Sequence, residues 1–593
     1  MRKVKLLSII AAVIYVFISL AACDSREDDL LLMYLHEPLT ILSTFPDIDK
    51  FEKKVQEKYP EISFEIIPYA GSNTTSYISS MVKAGEIPDI FVNTVYAPGL
   101  HNLEDKLVDL SGYDFTVNYN ASGLQSVSSD GAIYMLPTFY SCVGITYNKT
   151  LLDKHGWELP NTFEQLKELA PKVKAAGCRL ALNQLALPGY GFQYMCNILD
   201  TGYFNTLGGR KWQKDFLNGK TSISESPEMM QSFKIVQEWK DLGMLNAEGD
   251  LNSDAATKKM MAEGNTLFML GSSNTFNATE STDEFRLIPY LSEDGTKNSL
   301  IIQTAFYVGI SKTLEDNPQK LQDALHVMEI LSTVDGMNSL NTDFVNTKML
   351  PLIDYVVPET SIYKPVEPFL EKGQTAPFIY SGWEGLIVPA GNAGIEYICG
   401  NITLDELISA IDANRSLLQD DTPSAYTTIT EKLTNKDCAR LVGVCFGKAA
   451  NADLALISTN ECHIIDGKMY MNYHGVSGEL FALPVHDEQI SSIFPTGWHG
   501  TIHTITATGA QIKRIAEEGY DYHGHGINYP YLTVTPKGFK LDDETVYTAV
   551  ITGANTQVKE EFNYTDTGIS GLLAAQNYFK QFESFSSGDI VWE

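Results

Sequence analysis

The apolar residues switch period repeatedly between Leu30 and Val92, and this constrains the fold more than any other feature of the chain. Leu30-Leu31-Leu32-Met33-Tyr34-Leu35 reads as a short buried strand, after which Ile48, Phe51 and Val55 recur at helical spacing. Glu61-Ile62-Ser63-Phe64-Glu65-Ile66 alternates polar and apolar residues with period two. Tyr77 to Ala84 returns to a helical pattern closed by Gly85, and Ile90-Phe91-Val92 makes a third strand after Pro88-Asp89. Strand, helix, strand, helix, strand predicts an open α/β sheet, a fold that collects ligands beyond the carboxyl ends of its strands. At 593 residues the chain exceeds one core and predicts about two or three domains.

Arg2, Lys3 and Lys5 precede a 17-residue stretch, Leu6 to Ala22, broken only by Ser8 and Ser19 and closed by Leu20-Ala21-Ala22-Cys23. A spanning helix needs about 20 apolar residues, whereas small residues directly before a lone Cys mark processing. The pattern resembles a bacterial lipoprotein signal. That resemblance implies a signal peptide over 1–22, lipidation of Cys23 by diacylglycerol, and a tether over 23–30. The mature protein would then be anchored on the extracytoplasmic face of the cell membrane.

The formal charge of −31, which becomes −34 once Arg2, Lys3 and Lys5 are removed, excludes nucleic acid as a natural partner. Cys142, Cys178, Cys196, Cys399, Cys438, Cys445 and Cys462 are odd in number and contain no C-x-x-C pair. This predicts mostly buried free thiols, neither a disulfide scaffold nor a metal cluster.

Five segments in order carry a family resemblance. They are Met81-Val82-Lys83-Ala84-Gly85-Glu86-Ile87-Pro88-Asp89-Ile90-Phe91, Asp130 to Pro137, Ile145-Thr146-Tyr147-Asn148-Lys149 with Gly156 to Phe163, Met261 to Met269, and the helix Ile402 to Leu418 with Leu404, Leu407, Ile408 and Ile411 on one face. Together they resemble the extracellular solute-binding proteins of carbohydrate ABC importers (family 1 type), with Phe163 standing where Trp is usual. The resemblance implies a two-lobed periplasmic-binding-protein-like (type II) α/β fold over 31–422, closing on its solute by hinge motion. It also implies an ABC permease as partner. No Gly-x-x-x-x-Gly-Lys-Ser/Thr loop is present, so the ATPase would be a separate chain.

After Asp420-Asp421-Thr422-Pro423-Ser424, which reads as a linker, short β-rich runs replace long helical ones. Thr428 to Phe446 predicts a helix and a strand, and Ala452 to Ser458 a buried strand. Gly475 to Pro484, Thr508-Gly509-Ala510-Gln511-Ile512-Lys513 and Leu541 to Tyr547 follow. This order resembles the α+β C-terminal domain of 5'-nucleotidases, placed here over 435–593, with Gly509 expected to serve a tight turn before a helix. Two departures stand out. Thr459-Asn460-Glu461-Cys462-His463 lacks the family's Arg, and Pro484-Val485-His486-Asp487 replaces Pro-Phe-x-Asn, so a phosphate cation and a stacking ring are both missing. The metallophosphoesterase motifs of that family are absent in order. We therefore assign no catalytic residue, metal or cofactor, and read the segment as a degenerate binding or docking module of a protein that is not an enzyme. The pair His523 and His525 has metal-like i, i+2 spacing but no third ligand nearby, and reads as a surface loop.

Sugar recognition needs aromatic faces for C–H patches and polar groups for hydroxyls, carried on loops between sheet and helix. The candidates are Tyr34 and His36 after the first strand, Asn93 and Tyr96 after the third, Tyr140 at the crossing, and Trp212. On the return come Ser273, Asn274, Gln303, Trp383 and Glu384. Asp89 is expected to brace backbone, and Trp157 and Trp239 to belong to the core. Two other readings stay open: a nucleotide-salvage component related to 5'-nucleotidases that binds nucleosides or nucleotides, and a sensor lipoprotein.

Overall fold

The computed structural model describes residues 36–593 apart from 44, 46, 70, 72–73, 94–102, 126, 272–280, 341, 343–347, 372–375, 378–383, 416–423, 473, 495–499, 522–525 and 553–555. The signal stretch with Cys23, the Leu30 to Leu35 segment, His523 and His525 lie outside these residues. The chain divides into two units. One comprises Met1–Pro137, Phe306–Thr342 and Pro423–Glu593, the other Thr138–Ala305 and Asp343–Thr422. Among the described residues no helix is long and apolar enough to cross a membrane.

The first unit holds two sheets of five strands. In its first lobe the strands run in the order Phe64–Pro68, Leu39–Ser43, Ile90–Asn93, Tyr307–Ile310, Leu136–Pro137. The first three are parallel, with Leu39 opposite Phe64 and Ile41 opposite both Ile66 and Ile90. The returning strand Tyr307–Ile310 is antiparallel to both its neighbours. Helix Ile48–Gln56 buries Ile48, Phe51 and Val55, the residues its period singles out. Strand Phe64–Pro68 begins three residues later than the alternation from Glu61 suggests. The first strand is Leu39–Ser43, beyond the apolar run expected to form it.

The carboxy-terminal module has its sheet in the order Tyr531–Val534, Leu454–Ser458, Val546–Ile551, Thr501–Thr508, Asn563–Ser570. Leu454–Ser458 is buried throughout, as expected, and pairs in parallel with Val546–Ile551. The module starts before residue 435, because strand Thr427–Ile429 pairs with both Pro484–Val485 and Ser584–Phe585. Helix Asn435–Ala449 follows, capped by Thr434 and Asp437. Thr508 caps helix Gly509–Glu518 through Gln511. Gly509 is required there for a close approach and not for a turn, since a Cβ would lie 2.0 Å from the Asp542 carbonyl oxygen.

The second unit is built on a four-stranded sheet, Phe285–Ile288, Ile145–Asn148, Thr266–Leu270, Arg179–Asn183, of which only the last two are parallel to each other. Trp239, wholly buried, stacks on Phe163 at 5.1 Å. The Phe that stands in place of Trp thus serves the core. Trp157 is partly buried against the same cluster. Helices Pro188–Leu199 and Glu384–Cys399 meet through glycines: a Cβ on Gly391 would fall 2.0 Å from the Pro188 oxygen, and one on Gly191 2.6 Å from the Gly391 oxygen. All seven cysteines after Cys23 are free thiols, with Cys142, Cys196, Cys438 and Cys445 buried.

Candidate functional site

In the first lobe the three parallel strands end at Pro68, Ser43 and Asn93, and this end of the sheet is where an open α/β fold holds ligand. Asn93, the last residue of its strand, is buried and sits in register with Tyr307. Phe45, just beyond Ser43, meets Phe306 edge to face at 4.8 Å between ring centroids. The end of the sheet therefore gathers Phe45, Asn93, Phe306 and Tyr307, an aromatic group with one amide. Of these the sequence singles out Asn93 alone. Phe45 escapes it because the expected first strand ends at Leu35, and Phe306 and Tyr307 read only as strand.

His36 is a correction. It precedes Leu39 and so lies at the amino ends of the parallel strands, where its Nδ1 is 2.8 Å from Oδ2 of Asp323 on helix Pro318–Leu331. Asp89 braces backbone, as expected: its Oδ2 accepts from the Thr40 N–H and hydroxyl at 2.8 and 2.9 Å and pairs with Lys320 at 2.8 Å. Tyr34, Tyr96, Ser273, Asn274 and Trp383 lie outside the described residues, and for Tyr140, Gln303 and Glu384 the description covers the backbone alone.

In the second unit the structure brings two candidates onto adjacent strands. Tyr140–Val143 runs antiparallel to Ile301–Thr304, with Tyr140 opposite Thr304 and Ser141 opposite Gln303. Beside them the buried Lys348 lies over the Phe139 ring, 5.2 Å from its centroid. Glu384 opens helix Glu384–Cys399. Trp212 is a second correction. It is 7 % exposed in the core, packed on Phe216 at 5.0 Å and Phe204 at 6.2 Å, so its faces are spent on protein. It also helps line an apolar cavity of about 20 Å³ with Phe192, Met195 and Phe233. Among the described residues no three of His, Cys, Asp and Glu come together to hold a metal.

Residues 48–319 match the family model described as bacterial extracellular solute-binding protein. That stretch is a solute-binding domain. In fold the chain is similar to RafE of Streptococcus pneumoniae in its apo form, with 14% identity and a TM-score of 0.53 over 64% of this chain and 98% of that one. RafE in complex with raffinose gives 13% identity and 0.51 over 65% and 100%. The binding protein msme of Bacillus subtilis, in an open conformation, gives 15% identity and 0.53 over 65% and 98%.

One buried acid in the second unit sets a pH dependence. Asp200 is wholly buried, and burial pushes its carboxyl up to about 7, against the opposing pull of Arg210 at 3.0 Å. An acid with a raised folded pKa contributes stability below its unfolded value of 3.8 and loses it as pH rises towards about 7. Each tenfold difference in proton affinity between the folded and unfolded carboxyl is worth about 1.4 kcal/mol. Asp200→Asn is expected to remove this slope, so that its Tm falls less between pH 5 and pH 8 than that of the parent. Equal slopes would overturn the assignment.

Proposed function

We propose that the protein is an extracytoplasmic solute-binding protein that captures a sugar or oligosaccharide and delivers it to the permease of an ABC importer, held to the membrane by lipid on Cys23. The observation that carries this reading is the match of residues 48–319 to extracellular solute-binding proteins. Support for a carbohydrate comes from the raffinose bound by RafE, and from the partly exposed aromatic residues at the strand ends, Phe306 and Tyr307, beside the amide of Asn93. Rings cover sugar C–H faces while amides bond hydroxyls. Tyr140, Gln303 and Glu384 are the proposed contributors from the second unit. The carboxy-terminal module is proposed to derive from the 5'-nucleotidase C-terminal fold without its nucleotide-reading residues. Its segment Thr459 to His463 lacks the Arg that the resemblance implies, which speaks against nucleotide binding.

The test is thermal unfolding of residues 24–593 against raffinose, stachyose, maltose, nucleosides and nucleotides. A sugar at ~100 times its dissociation constant is expected to add about 2.7 kcal/mol to the binding unit. A response to nucleosides or nucleotides alone would replace this reading with nucleotide salvage.

A further inference from the structure

The carboxy-terminal module follows the second unit in sequence but packs on the first lobe. Phe481 and Leu483 of the module belong to the lobe's apolar cluster, with Leu42, Tyr77, Met81 and Phe91, and not to the module's own. Tyr69 and Tyr77 stack at 4.2 Å between centroids, and Phe481 closes on Tyr77 at 5.6 Å. All three side chains are buried, so without the module Tyr77 would lose an aromatic neighbour and face water.

Polar contacts fix the register of this packing. The Tyr69 hydroxyl donates to the Ser492 carbonyl at 2.6 Å, and Asn460 Nδ2 donates to the Pro68 carbonyl at 3.2 Å and to Ser477 at 3.1 Å. Lys432 bridges Glu86 of the lobe at 2.7 Å and Glu479 of the module at 3.4 Å. Pro68 and Tyr69 stand at the carboxyl end of the lobe's outer strand, the end that collects ligand. Asn460, just after strand Leu454–Ser458, is thus spent on the lobe's backbone.

We propose that the carboxy-terminal module is an integral part of the first lobe: it clamps the carboxyl end of the outer strand and helix Thr74–Ala84, and through them fixes the solute-facing edge of that lobe. Only the last clause rests on the solute-binding reading.

The test uses the full chain carrying a protease recognition sequence between Arg415 and Ser424. After cleavage the two pieces are expected to co-elute in size exclusion at micromolar concentration. Phe481→Ala is expected to raise hydrogen exchange of residues 64–84 by at least about tenfold while leaving the second unit unchanged. Lys432→Glu, a change at a half-exposed side chain that keeps the core intact, is expected to speed separation of the pieces. Pieces that part on cleavage, with exchange of 64–84 unaltered, overturn the proposal. A sugar that binds the intact chain is expected to bind the cleaved, separated Lys432→Glu pieces at least about tenfold more weakly; equal affinity would remove the claim on the solute-facing edge. If no sugar binds the intact chain, the functional reading fails while co-elution and exchange still decide the clamp.

Discussion

Trp239→Ala is expected to destabilise the second unit by about 3–5 kcal/mol, the range for truncating a large buried aromatic residue. The ring is wholly buried on helix Pro227–Leu242, stacked on Phe163 at an interplanar angle of 12° and set 5.7 Å from Tyr290. Its indole N–H has no hydrogen-bond partner among the described residues, so the loss is one of packing and cavity formation alone. Trp239→Phe therefore makes a discriminating companion. It keeps an aromatic ring against Phe163 and removes the unsatisfied donor, and is expected to cost well under half as much. Denaturant unfolding followed by a probe within the second unit measures both, because a chain of two units need not unfold in one step. A Trp239→Ala cost below about 1 kcal/mol would mean that the site collapses freely around the missing ring.

Gly391→Val is the second large effect, expected to cost about 3 kcal/mol, the upper end of the usual range for overpacking. The Pro188 oxygen 2.0 Å from the position of a Cβ is backbone and cannot rotate away, and Gly191 and Gly394 press on the same crossing. The two helices must separate to admit a side chain, which opens the core they cover. Gly391→Ala gives a sign to read: helix propensity alone favours Ala over Gly by about 1 kcal/mol, so a stabilised Gly391→Ala would show that the helices part at little cost. We expect destabilisation, by less than Val causes.

Local periodicity carries much of the fold. Ile48, Phe51 and Val55 announce their helix because one buried face repeats every turn, and Ile90-Phe91-Val92 and Leu454-Ala455-Leu456-Ile457 announce their strands as uninterrupted apolar runs. Where two apolar runs stand close together the pattern cannot rank them, so the strand Leu39–Ser43 is passed over and His36 falls at the wrong end of the sheet. The site follows the same rule. Asn93 is legible as a strand end, whereas Trp212 is not legible as core until Phe216, one helical turn on, is seen to take its face. Contacts across the chain leave no local trace. Nothing near Tyr69 signals Ser492, 423 positions away.

The order of assembly follows from the strand order of the first lobe. Ile90–Asn93 has Tyr307–Ile310 beside it, and only beyond that strand does Leu136–Pro137 pair, so the sheet stays unfinished until the chain has passed the whole of Thr138–Ala305. Phe481, which closes the lobe's apolar cluster, comes later still. A ribosome delivers residues from the amino end, and contacts this distant in sequence carry a heavy loop-closure penalty. The part of the molecule made first thus waits on what is made much later: the nascent chain presents an open sheet edge until Tyr307–Ile310 emerges, and an uncovered apolar cluster until Phe481 does.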